Sequence, residues 1–309
     1  MNVQLAKYHG LGNDFLVLVD RDGERALGPD SVAALCDRHR GIGADGVLRL
    51  GPARRGGSFA MELRNADGGL AETSGNGLRC AALAAVHAGL ADAGELVVET
   101  AAGDAPVRVG PDTSSGRAEV RVDMGSVSVG GETEARALPL GPTRSGADPA
   151  VVRSALGGLV AALVDVGNPH VVIYAPRPGG PVGVSGAGVG RSVDVATVGP
   201  AIEAGAAGGV NVELASVSGA GVTMTVWERG AGLTLACGSG SCATAAALRA
   251  AGLVADRVLV SNPGGELLVE LSGPLERPRA VLTGPAQRVA SVQVELDDLV
   301  RPVRAGGRP

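Results

Sequence analysis

The chain has 309 residues, 45% of them hydrophobic and 19% charged, with a formal net charge of −5. That is enough apolar material for one or two buried cores, and the few arginine clusters are short, so neither nucleic acid nor a membrane surface is an expected partner. Lys7 is the single lysine, which weighs against a pyridoxal phosphate enzyme, and one Trp, two Tyr and two Phe leave little for stacking bases or flavins.

The N-terminus "MNVQLAKYHGLGNDF" lacks a basic region followed by an apolar run, and other apolar stretches stop well short of about 18 residues, so the expected address is the cytoplasm. Apolar alternation in "VQLAKYHG" predicts a first strand that ends in the turn Gly12-Asn13-Asp14. "GIGADG" (41–46) satisfies a dinucleotide glycine pattern but stands before strand-like "VLRL", the reverse of the strand-to-helix context that pattern needs.

A long helix is predicted after "SGNG", with Ser74 before its first residue and Gly89-Leu90 as its stop. "VVETAAGD" (97–104) then reads as a strand and turn. The Gly/Pro/Ser-rich stretches 125–149 and 176–191 read as a join between halves and a surface loop.

The second half repeats the first. Aligning Ser74 with Cys237 superposes "SGNGLRCAALAAVHAGL" on "CGSGSCATAAALRAAGL", and the second helix stops at Gly252-Leu253. "VLVSNPGGE" (258–266) resembles "VVETAAGD", and Gly167-Asn168-Pro169 after "LVAALVDVG" resembles Gly12-Asn13-Asp14. Three collinear matches predict an α+β protein of two similar, facing lobes.

Two helix N-termini opening on one cleft would hold a carboxylate from both sides. Cys237 stands at one of them, where the helix is expected to lower the thiol pKa and make a general base available near neutral pH. Cys36, Cys80 and Cys242 read as reduced packing residues, and the scattered histidines (His9, His39, His87) suggest no metal site.

The motifs "HGLGNDF", "DRHRGIGADG", "RNADGG", "SGNGLRC", "GNPH", "NVELA", "WERGAGLTLACGSGSCA" and "NPGGELLVE", in that order, resemble the diaminopimelate epimerase family. The resemblance implies two pseudo-symmetric lobes, each a mostly antiparallel curled sheet or barrel around a central helix. It also implies a cofactor-independent epimerase in which two cysteines on opposite faces of Cα remove and return its proton. The second cysteine falls on Cys237 and the first on Ser74, the chief departure from the family pattern.

By the same resemblance, Asn65, Asn168, Asn211 and Arg229 match positions that hold the distal amino acid centre, and Glu228 the position that binds the reacting amino group. Gly75, Asn76, Gly238 and Ser239 match the backbone cradle for the reacting carboxylate, Asn13 a further substrate contact, and His170 a polar residue near the reacting centre. The implied partner is a small amino acid, with no cofactor and no metal, and a homodimer is a family habit. The lobes are expected at 1–129, completed by 286–300, and at 130–285, with 301–309 as a disordered tail.

A serine opposite a cysteine makes the two directions of an epimerisation chemically unequal. Three functions stay open: epimerisation of diaminopimelate, LL to meso, or of a related diamino acid; a one-base isomerase or dehydratase, or a different amino acid's racemase, that uses Cys237 with Ser74 as a non-base; or a binding paralogue with weakened catalysis.

Overall fold

Strands whose apolar residues alternate with polar ones turn one face to a core, and in β1 (Asn2–Gly10) the buried positions include Val3, Leu5 and Tyr8. The computed structural model describes residues 2–71, 74–142, 148–177, 193–219 and 221–300. After β1 come β2 (Asn13–Val19), α1 (Pro29–Cys36), β3 (Gly46–Gly51), β4 (Phe59–Asn65), α2 (Gly75–His87), β5 (Glu95–Thr100), β6 (Gly103–Val109) and β7 (Arg117–Ser126). The chain continues through β8 (Ser128–Glu134), α3 (Pro149–Ala155), β9 (Val160–Asp165), β10 (Pro169–Tyr174), α4 (Val195–Gly205), β11 (Asn211–Ser218), β12 (Gly221–Glu228) and β13 (Gly232–Thr234). It ends with α5 (Gly238–Ala250), β14 (Arg257–Asn262), β15 (Gly265–Ser272), β16 (Arg279–Glu295) and α6 (Leu296–Val300).

The strands form one hydrogen-bonded path, β1-β2-β3-β4-β5-β6-β7-β16-β15-β14-β12-β11-β10-β9-β8, with β13 paired to β12. β16 also pairs with β1, from Asn2 opposite Glu295 to His9 opposite Gln287, which closes β1 to β7 and β16 into a barrel. In the second lobe the amides of Val127 and Val129 donate to the carbonyls of Pro278 and Glu276 at 2.8 and 2.9 Å, tying the entry to β8 and its start to the segment that leads into β16.

The internal repeat holds strand by strand. The antiparallel pairs β1–β2 and β9–β10 correspond, as do the parallel pairs β2–β3 and β10–β11, and the hairpins β5–β6 and β14–β15. Both long helices also end alike: Gly89 and Gly252 have φ of 63° and 71°, and the Leu90 and Leu253 amides bond 2.9 Å back to the Ala85 and Leu248 carbonyls. A left-handed glycine followed by this backward bond caps a helix.

α2 and α5 are buried on almost every side because each runs inside a barrel. Alanine-rich sequence suits that position, since small side chains let the surrounding strands close around the helix. Ala81, Ala82 and Leu83 of α2 pack with Phe15, Leu48 and Phe59 in one core, and Ala243, Ala246 and Leu248 of α5 pack with Val226, Val260 and Leu267 in the other. Cys80 and Cys242 belong to these cores and Cys36 to an outer cluster under α1; all are free thiols.

One expectation is corrected. The stretch 125–149, expected as a join, contains β8 and a 3-10 turn at Ala135–Ala137. Among the described residues β8 pairs on one side with β9 along most of its length and is largely exposed, so a strand of Ser, Gly, Glu and Thr with the single apolar residue Val129 is tolerated there and carries no apolar alternation. Most of the expected loop 176–191 and the tail 301–309 lie outside the described residues.

Candidate active site

Ser74 and Cys237 occupy the same structural position. Each is the N-cap of its helix with extended backbone, φ −143° and −123°, and each side chain accepts a hydrogen bond from the amide three residues on. Ser74 Oγ lies 2.9 Å from Gly77 N, and Cys237 Sγ lies 3.3 Å from Gly240 N. Gly75 and Gly238 follow them, and the two helix mouths abut: a Cβ on Gly238 would lie 3.3 Å from Gly75 Cα. Both glycines also sit against Leu282 of β16. Gly75, Asn76, Gly238 and Ser239 are the first two residues of their helices, so their N–H groups have no intrahelical acceptor.

A cavity of about 650 Å³ opens on these mouths, a size suited to a small ligand. Its walls include Asn13, Asn65, Ser74, Gly75 and Asn76 from the first half, and Asn168, Glu228, Arg229, Cys237, Gly238 and Ser239 from the second. Two expected residues, Asn211 and His170, are not on the wall. Asn211 lies behind it, accepting from the Arg229 amide at 2.9 Å and donating to the Pro169 carbonyl at 3.2 Å. His170 is buried, with Nδ1 2.7 Å from Glu213 Oε1 and Nε2 3.1 Å from Asn168 Oδ1. These two support wall residues and do not face the cavity.

The electrostatics of Cys237 overturn the expectation of a lowered thiol pKa. Burial pushes the thiol well above its ordinary value, and the carboxylates of Glu228 and Glu213 push it the same way. The Ser239 hydroxyl and the Gly240 amide pull it down without offsetting these effects. A helix N-terminus contributes about half a charge, which two nearby carboxylates and desolvation outweigh. Burial likewise raises the pKa of Glu228, which accepts a 2.5 Å hydrogen bond from Thr234 Oγ1.

Ser74 has no comparable company: among the described residues the hydrogen bond of its Oγ is the one from Gly77. Among the described residues no histidine or carboxylate is bonded to it as a base. Among the described residues there is also no group of three or more His, Cys, Asp or Glu side chains placed to hold a metal ion.

Several contributors escaped sequence reasoning. Asp45 and Arg38 line the cavity: Asn13 Nδ2 donates to Asp45 Oδ2 at 2.8 Å, and Arg38 Nη2 lies 2.7 Å from both Asp45 and Asp14. They fall inside "DRHRGIGADG", a motif that points to the family without assigning roles. Glu213 has a signal of a different kind, a carboxylate at an inward position of a buried strand, and only the fold reveals its partner His170.

Paired barrels around two buried helices form a fold that recurs among solved structures. A hydroxyproline epimerase from Agrobacterium vitis has this fold, with a TM-score of 0.64 at 19% identity, over 96% of this chain and 93% of its own. The sequence pattern of the family described as diaminopimelate epimerase matches residues 5–130 and 162–289, and the chain belongs to that family. Diaminopimelate epimerase from Synechocystis sp. is 36% identical over 96% of this chain and all of its own. The enzyme of that name from Mycolicibacterium smegmatis is 39% identical over 94% and 96%.

Proposed function

We propose that the protein is a cofactor-independent epimerase that inverts one Cα of diaminopimelate, converting the LL to the meso form. The observation that carries this is the pair of equivalent N-caps, Ser74 and Cys237, on abutting helix mouths that open on one cavity. Substrate would sit with its reacting carboxylate on the N–H groups of Gly75, Asn76, Gly238 and Ser239, and with its amino group toward Glu228. Asn65, Asn168 and Arg229, backed by Asn211, would take the distal centre.

In the forward step the Cys237 thiolate removes the Cα proton, and the electron pair moves into the carboxylate to give an enediolate held by the helix-mouth amides. Ser74 Oγ–H, directly or through a water, delivers a proton to the opposite face and recovers one from solvent. The raised thiol pKa requires that the thiolate form within the loaded site, and the substrate's ammonium group beside Glu228 would offset that carboxylate's influence on the thiol.

A second function is favoured by the surroundings of Ser74: among the described residues its hydroxyl has the Gly77 amide as its hydrogen-bond partner and no base, and Cys237 alone could exchange the proton without inversion or expel a β-substituent. Incubation with LL- and meso-diaminopimelate in deuterated water separates the two. Inversion with deuterium at Cα is the expected outcome, and exchange without inversion would select the one-base function.

The lobe limits 1–129 with 286–300, and 130–285, belong to this proposal and are supported by the return of β16 to β1. So do a homodimer, to be read by sedimentation, and a cytoplasmic address; among the described residues no helix is long and apolar enough to cross a membrane.

A further inference from the structure

Arg79, one turn into α2, is completely buried. A buried guanidinium ordinarily has a carboxylate partner, and among the described residues Arg79 has none. Its Nη2 donates to Asn76 Oδ1 at 2.7 Å and its Nε to the Pro285 carbonyl at 3.2 Å, while Nη1 has no partner. Glu119 is the acid whose charge reaches it, but that residue is exposed and makes no ion pair with it. An arginine stays protonated in such a place, so the first barrel contains an uncompensated positive charge.

Asn76 connects that charge to the site. Its carbonyl is held by Arg79, and its NH2 group donates to Asn13 Oδ1 at 3.1 Å and to the carbonyl of Ala236, the residue before Cys237, at 3.0 Å. Asn13 in turn donates to Asp45. A donor-only cation at one end and a carboxylate at the other fix the direction of every amide between them. The same amide therefore ties the mouth of α2 to the mouth of α5, and Arg79 pins it from behind.

We infer that Arg79 is a positioning residue of the reaction, a buried cation that anchors the Asn76 link between the helix mouths and favours the negative charge that develops on the reacting carboxylate. The inference rests on the proposed function for the identity of that carboxylate. Its electrostatic part follows from low polarizability around the site, where a fixed charge acts more strongly than in water. Because the enediolate carries more negative charge than the substrate carboxylate, the effect belongs to kcat more than to KM.

The test compares wild type with Arg79→Lys, Arg79→Gln and Arg79→Met in deuterium incorporation at Cα of diaminopimelate, in thermal unfolding, and in binding of oxalate as a compact dianion. Arg79→Lys keeps the charge and Arg79→Gln keeps a donor without it. Arg79→Gln and Arg79→Met are expected to lower kcat by roughly 100-fold, the scale of a small misplacement at a reacting centre. KM should change by less than about threefold, oxalate should bind at least about tenfold more weakly, and Arg79→Lys should retain most of both functions.

The unfolding midpoint of Arg79→Met should not fall, since an apolar side chain in place of a lone buried charge is often neutral or stabilising. A kcat for Arg79→Gln within about threefold of wild type would overturn the inference. So would losses in Arg79→Lys as large as in Arg79→Met together with a lowered midpoint, which would mark a scaffold role. If Arg79→Met does not fold, Arg79→Gln decides. If wild type exchanges no amino acid the proposed function fails instead, and the oxalate comparison decides alone; wild type that binds no oxalate overturns the inference.

Discussion

Cys237 is 4% exposed, lines the cavity, and has two carboxylates near it. Its raised pKa has consequences for both activity and stability. In the free enzyme the thiolate fraction grows with pH, so kcat/KM for Cα exchange should keep rising through pH 9.0, the thiol's ordinary value; a plateau below neutral pH would contradict this environment. For stability, the protonated thiol is the form the fold favours. That contribution is intact below the unfolded thiol's pKa and is lost as pH rises through the folded one, so urea midpoints should fall above pH 9.0 in wild type and less in Cys237→Ala.

Cys237→Ala should also abolish Cα exchange while the protein remains folded. Ser74→Cys should raise the inversion rate, because a thiol at the α2 mouth supplies an ionisable group where a hydroxyl does not; a lower rate would mark Ser74 as a specialised proton donor. Residue positions were legible in the sequence where a motif fixed a helix start, as at Ser74, Cys237 and the glycines that follow them. Glu213 and Asp45 were not, because their partners His170 and Asn13 are 43 and 32 positions away and only the fold brings them near, and Arg79 was not, because nothing local shows that a barrel encloses it.

At the scale of elements, the two helix starts explain why glycine recurs three residues after each N-cap. A Cβ on Gly240 would lie 2.7 Å from Glu213 Oε1 and 3.3 Å from Cys237 Sγ, and one on Gly77 would lie 3.2 Å from Ser74 Oγ. Gly240→Ala should therefore cost about 1–3 kcal/mol of stability, the usual range for overpacking, and reduce activity by moving the thiol or Glu213. Differential scanning calorimetry with deuterium exchange checks both, and a variant unchanged in each would show that Glu213 has room to move away. The alanine-rich helices and the strand-turn repeats were legible because periodicity and turn chemistry are local. β8 was not: an exposed, glycine-containing edge strand has the composition of a loop.

For the whole molecule, β16 is the element that makes two lobes one structure. Residues 279–283 pair with β15 on one edge and residues 279–287 with β7 on the other, residues 287–295 pair with β1, and Leu282 touches both Gly75 and Gly238. Removing residues 288–300 should open the first barrel and abolish a single cooperative thermal transition, with apolar dye binding reporting the exposed core; a truncated protein that melts as wild type would contradict the closure by β16. The repeat was visible in the sequence, but the sharing of one strand by both barrels was not, since pairing between residues as far apart as Asn2 and Glu295 leaves no local pattern.

The central claim is that Cys237 and Ser74 act on opposite faces of one Cα. Its most direct test is proton NMR and chiral analysis of LL-diaminopimelate incubated with the enzyme in deuterated water. Formation of the meso isomer with one deuterium at the inverted centre is the predicted result, and deuterium incorporation without any meso product would contradict it.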